Sequence, residues 1–152
     1  MPARRDIDPV DIPRVLPYIL MLDVMEAPGF RYRLVGTTVV DGVGHDPTGR
    51  EMADSFPADY GRALEALYEG VRVARVPGFG ISTVDGARGP ERLCTRLILP
   101  LASDGRTVDK IIATSIFDQR FIRYSLPDLS NRLDTHRTEL ILDTESSPPQ
   151  MS

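Results

Sequence analysis

A chain of 152 residues that is 41% hydrophobic and 26% charged has enough apolar sequence for one domain with a single core, which excludes general disorder. Its formal net charge of -4, with arginines interleaved among acids, excludes the basic stripe of a general nucleic-acid binder. The lone cysteine, Cys94, excludes an intrachain disulfide, and no apolar run approaches the roughly 20 residues that span a bilayer. No signal-peptide pattern opens the chain, so a soluble protein of the reducing cytoplasm is the expectation.

Residues 1–7 read as a flexible lead-in. In DPVDIPRVLPY, Asp8 caps a short helix with Pro9 at its first position, and Ile12, Val15 and Leu16 fall on one face. Pro17 ends it. YILMLDVME (18–26) predicts a strand that is apolar on both faces, with Leu20, Leu22 and Val24 on one and Ile19 and Met21 on the other. Ala27-Pro28-Gly29 predicts a turn into FRYRLVG (30–36), whose Phe30, Tyr32 and Leu34 alternate with Arg31, Arg33 and Val35. TTVVDGVG (37–44) predicts a short helical turn ended by glycines, and DPTGRE a loop. PADYGRALEALYEGVRVAR (57–75) predicts the long helix, with Tyr60, Leu64, Leu67, Val71 and Ala74 on one stripe and Pro77 beyond its end. Three strands close the domain: GFGISTV (78–84), RLCTRLILPL (92–101) and TVDKIIATSIF (107–117). DGARGP joins the first two and Ser103-Asp104-Gly105 turns between the last two. Residues 119–152 form a polar tail, with a short helix expected in RLDTHRTELIL and disorder in ESSPPQMS. Two hairpins and a meander imply a five-stranded antiparallel sheet. Short helices and one long helix lie on one of its faces and an N-terminal helix precedes it, an α+β domain over residues 8–118.

The stretch GHDPTGRE comes near a phosphate-binding loop and departs from it where the chemistry matters. Arg50 stands in the lysine position and Glu51, which would repel phosphate, stands where a hydroxyl should hold magnesium. Its glycines read as turn geometry between short helices.

The order of these elements, with DIDPVDIPRVLPYILMLDV, FRYRLVGT, GHDPTGRE and LILPLASDGRTVDKII in sequence, resembles the PAS (Per-Arnt-Sim) superfamily over about residues 5–118. Within it the chain is similar to a divergent subfamily of small, stand-alone bacterial PAS domains. The resemblance implies a sensory or regulatory signal-transduction module, without enzymatic activity. It further implies a small molecule held between sheet and long helix, and dimerisation through the outer sheet face and the preceding helix. On that fold Tyr32, Tyr60, Tyr68, Phe79 and Thr95 could surround a ligand, with Leu34, Leu64, Leu67 and Leu97 as apolar lining; the same residues could equally pack as ordinary core. The second face of the first strand needs a cover, which the N-terminal helix or a second subunit would supply, and a homodimer is expected through Ile12, Leu16, Ile19 and Met21. Arg33 reads as a structural partner for Asp46 or Glu51, or as a contact for an anionic ligand.

The sequence supports neither haem nor flavin nor a metal. His45 lies in a glycine-rich loop, His136 in the polar tail, and Cys94 on a strand between Arg92 and Arg96, where an inert thiol on the outer face is expected. Asp23, Glu26 and Asp46 read as solvated charges rather than a catalytic pair. The leading reading is therefore a PAS module that binds a small ligand or a protein partner and passes its output to another protein. An interaction-only domain with a solid core is the alternative, and an enzyme on a PAS-like sheet a weaker one.

Overall fold

A computed structural model of the chain describes residues 1–26, 29–84, 92–118 and 139–142. Strand-forming alternation and turn chemistry yield β1 (Ile19–Val24), β2 (Phe30–Val35), β3 (Gly78–Val84), β4 (Arg92–Leu101), β5 (Lys110–Asp118) and β6 (Glu139–Leu142), all in one sheet of order β2-β1-β5-β4-β3-β6 with antiparallel pairings throughout. The first five strands are the expected five-stranded sheet. The sixth replaces helix by strand in the last four residues of RLDTHRTELIL: ELIL pairs with the otherwise open edge of β3, while residues 132–138 of that stretch and the tail ESSPPQMS lie outside the described residues. The expected turn at Ala27-Pro28 and the DGARGP linker lie outside the described residues. The hairpin turn at Ser103–Gly105 forms as expected: the Asp104 carboxylate accepts hydrogen bonds from the Arg106 and Thr107 amides at 2.7 Å each, and Gly105 sits at φ 76°.

The helical layer consists of α1 (Thr37–Val43) and α2 (Ala58–Ala74). Gly44, at φ 88°, ends α1 in the left-handed conformation that glycine adopts without strain. Of the expected stripe of α2, Leu64, Leu67 and Val71 are at or below 3% exposed, Tyr60 is half-buried and Ala74 is exposed, while Tyr68, outside that stripe, is buried at 1%. The buried side chains pack on Leu20, Leu22, Phe30, Tyr32, Ile98, Ile111 and Ala113 from the sheet. Each such large side chain, once fully buried, contributes about 1.5–3 kcal/mol.

The N-terminal segment differs from the expected helix. Asp8 does cap a turn, accepting from the Val10 amide at 2.9 Å, but the turn is a single 3-10 one, Pro9–Asp11. Prolines 13 and 17 prevent its propagation, leaving separate 3-10 turns at Arg4–Asp6 and Leu16–Tyr18. This irregular segment still performs a packing role. Ile7 and Ile12 cover Ile19, Met21, Leu101 and Ile112 on the outer sheet face, and the Ala102 amide donates to the Pro2 carbonyl at 2.9 Å. The cover that β1 requires is thus supplied from within the chain. Of the residues expected at a dimer interface, Ile19 and Met21 are buried, Ile12 is half-buried and only Leu16 is exposed.

Two close approaches lock the layers. Gly36 joins β2 to α1, and its amide donates to the Ile19 carbonyl at 2.7 Å. A Cβ at Gly36 would stand 2.4 Å from the Pro17 carbonyl oxygen, a backbone atom that cannot swing aside. A Cβ at Gly42 would stand 2.4 Å from the Phe117 ring, so α1 lies directly on β5 only because that side chain is absent. Gly36→Ala is accordingly expected to destabilise the domain by about 2 kcal/mol, the usual scale of overpacking. Urea denaturation followed by circular dichroism measures it, and an unchanged midpoint would contradict the packing described.

Candidate functional site

The inner face of the sheet is set by strand parity, and the parity places a charge inside. On β4, Cys94, Arg96, Ile98 and Pro100 point inward, and Leu93, Thr95, Leu97 and Leu99 point outward. On β3, Gly78, Gly80 and Ser82 are the buried, inward positions, and α2 passes so close that a Cβ on Gly80 would meet Leu67 at 2.9 Å. The Arg96 guanidinium lies beside the short side chain of Ser82.

Arg96 is 4% exposed. One terminal nitrogen donates to Ser82 Oγ at 2.5 Å, the other to Tyr60 Oη at 2.6 Å. These bonds tie β4 to β3 and to the first turn of α2. Among the described residues none of the ion pairs includes Arg96. Burial works against its charge, while the Cys94 thiol and the Tyr60, Tyr68 and Tyr32 phenols work for it; the balance lies above the ordinary arginine value, and the group stays protonated.

Beside the guanidinium lies a cavity of about 20 Å³, room for one water. Its polar wall is Tyr32, Tyr60, Tyr68, Arg96 and Ser115, and its apolar wall includes Leu20, Val35, Val39, Leu64 and Phe117. Phe56 closes the side toward the loop preceding α2. Its ring stands edge-on to Tyr60 at 5.3 Å and to Tyr32 at 6.4 Å, with the His45 ring 5.6 Å away. Burial raises the Tyr68 and Tyr32 phenols above the ordinary tyrosine range, and it raises the Cys94 thiol as well.

The structure brings together four of the nine residues expected around a pocket: Tyr32, Tyr60, Leu64 and Tyr68 line this cavity. Leu67 packs in the same core but on Gly80. Leu34, Phe79, Thr95 and Leu97 lie on the outer face instead. Leu34 is turned out by a bulge: Leu22 pairs with Tyr32 and Met21 with Leu34, so Arg33 is the extra residue and alternation resumes in the opposite sense. Phe79 and Leu97 face each other across β3 and β4 at 39% and 42% exposure. Cys94 lies on the inner face, fully buried, rather than the outer one. Arg33 itself is exposed, and the ion pair to the loop runs from Arg31 to Glu51 at 3.1 Å. The loop GHDPTGRE is a strap rather than a phosphate cradle. Its Gly49 amide donates to the Tyr32 carbonyl at 2.7 Å, and the Tyr32 amide to the Arg50 carbonyl at 3.0 Å, so it runs along the edge of β2. His45 half-buries beside Phe56, and His136 lies outside the described residues. Among the described residues no cluster of metal-ligating side chains occurs, and no helix is long and apolar enough to cross a membrane.

Five antiparallel strands in the order 2-1-5-4-3, extended by β6 and covered on one face by helices, define a two-layer α+β domain of the class used by sensory and interaction modules alike. A model of the PAS domain matches residues 1–115, and the chain belongs to the PAS domain family. Among solved structures it is similar to the PAS domain of BvgS from Bordetella pertussis, at 20% identity and a TM-score of 0.56 over 84% of this chain and all of that one. It is also similar to VqmA bound to DPO, at 12% identity and a TM-score of 0.57 over 72% of this chain. The match covers 56% of VqmA, so the chain spans only about half of that protein. A light-oxygen-voltage domain studied with a flavin analogue matches at 14% identity and a TM-score of 0.50, over 80% of this chain and 93% of that one. At these identities the likeness is one of fold. No curated protein matches the chain.

Two expectations follow from the buried titratable groups. A phenol whose pKa is higher in the folded state than in the unfolded chain contributes stability that is complete below the unfolded value, near pH ~10, and lost as pH rises beyond it. Tyr32 and Tyr68 are therefore expected to ionise above the ordinary tyrosine range in a phenolate-absorbance titration, with global stability falling as pH rises past ~10. Cys94 is expected to resist thiol reagents until the protein unfolds; rapid labelling in native buffer would place the thiol elsewhere.

Proposed function

We propose that this PAS domain is a ligand-responsive sensory module whose small ligand enters the cavity beside Arg96. The observation that supports it is the buried guanidinium on the cavity wall. Desolvating an arginine costs several kcal/mol, and hydroxyl partners alone return only part of that. A core built only for packing is served better by an apolar residue on β4. The signal would pass through Tyr60, which joins the cavity to α2, and on to a protein partner. The exposed apolar side chains of the outer face, Phe79, Leu97 and Ile116, are the surface we assign to that partner or to a second copy. A single buried cysteine fits work in the reducing cytoplasm.

The small volume of the cavity favours the second reading, an interaction-only domain with an essentially filled interior. A thermal-shift screen of small molecules, combined with mass spectrometry of the protein under native and denaturing conditions, separates the two. Release of a bound small molecule, or a saturable rise in Tm, is expected. A screen with no responder and no released mass would leave the interaction-only reading in place.

A further inference from the structure

We infer that the domain carries a second site, on the outer face of the sheet, which takes a medium-chain carboxylate with its tail on the sheet and its head at Arg75 and Arg106. The site shares no lining residue with the cavity beside Arg96 and does not depend on what enters that cavity. It is an open groove of about 560 Å³ at the end of β4, within the roughly 300–1,000 Å³ typical of small-molecule sites. Leu99, Leu101 and Ile112 line it from the outward face of β4 and β5. Ile7 of the N-terminal segment and Pro77 of the link between α2 and β3 stand beside them.

Charge narrows the class of apolar ligand. Arg75 and Arg106 line the groove, both are exposed, and among the described residues neither enters an ion pair. Arg75 also stands against the preference of its backbone. It follows α2 at φ 59°, the one non-glycine residue with positive φ among the described residues. Glycine takes that position without strain, so ending the helix does not account for an arginine there, whereas placing a guanidinium at the groove does. Asp6 is the acid of the lining, and its carboxylate is engaged: it accepts from the Ala3 amide at 2.8 Å and lies 3.9 Å from Arg5. Apolar side chains beside two cations suit an amphiphile with a single carboxylate. Its head meets the planar fork of a guanidinium, and its methylenes leave water. A neutral lipid leaves the arginines unused, and a small polar anion leaves the leucines unused.

The test is calorimetric titration of the full chain at neutral pH with sodium octanoate, sodium hexanoate, sodium acetate and the neutral alcohol octanol, at matched ionic strength and below micelle formation. Octanoate is expected to bind saturably and roughly tenfold more tightly than hexanoate, the worth of two methylenes partly withdrawn from water. Acetate is expected not to bind, and octanol to bind roughly tenfold more weakly than octanoate, the worth of a hydrogen bond to a charged group. The double variant Arg75→Gly, Arg106→Gln is expected to weaken octanoate by a similar roughly tenfold. It keeps Tm at or slightly above that of the unaltered chain, because glycine suits the end of α2 and both side chains are exposed. Equal octanoate affinity in the double variant overturns the inference. So does equal affinity for octanoate and hexanoate, and so does no octanoate binding at all. A chain that is dimeric by light scattering, monomeric as the double variant and unable to take up octanoate assigns the groove to a second copy, and overturns it as well.

Discussion

The hydrogen bonds of one buried cation organise this domain. Arg96 reaches Ser82 across the sheet and Tyr60 across the layers, so a single side chain ties the paired strands β3 and β4 to the first turn of α2. Its burial constrains much else. On the inner face of β3, Gly80 has no room for a Cβ, which would meet Leu67 at 2.9 Å, and Ser82 accepts from the guanidinium. Tyr60 must stand in the first turn of α2, and Phe56 must pack beside it, to keep the charge from open water. Among the described residues the hydrogen-bond partners of this cation are hydroxyls, Ser82 and Tyr60, which hold it without neutralising it.

The architecture was largely legible in the sequence, and the reason is periodicity. Leu64, Leu67 and Val71 announce one helix face, and Leu20 and Leu22 opposite Ile19 and Met21 announce a strand buried on both sides. The site was legible only in part. Reading β4 as RLCTRLILPL suggests arginines outward and Thr95 and Leu97 inward, because an isolated arginine is ordinarily solvated. The partners that reverse this, Tyr60 and Ser82, lie 36 and 14 residues away, and no local pattern connects them. A signal was nevertheless present: Gly78, Gly80 and Ser82 form a row of small residues on one face of β3, the mark of a closely approaching helix, and that row fixes which face is inner.

Leu34 and the C-terminal segment failed for different physical reasons. The alternation Phe30, Tyr32, Leu34 is correct until an extra residue enters at Arg33, and a bulge leaves no unambiguous trace in a short strand. The strand ELIL was hidden because its pairing is decided by an open edge of β3, a tertiary circumstance, while its preceding residues read as helix. Propensity is a weak prior wherever an unpaired backbone is waiting to be satisfied.

The strap from Gly49 to Met52 and the strand β6 sit on opposite borders of the sheet, one bonded to β2 and the other to β3. Each border strand thereby spends backbone donors and acceptors inside its own chain. Polypeptides commonly recruit one another by adding strand to strand, and the strap and β6 occupy β2 and β3 along these stretches. The outermost strand of the order is then β6, four residues long, so the backbone edge offered on that side is a short one.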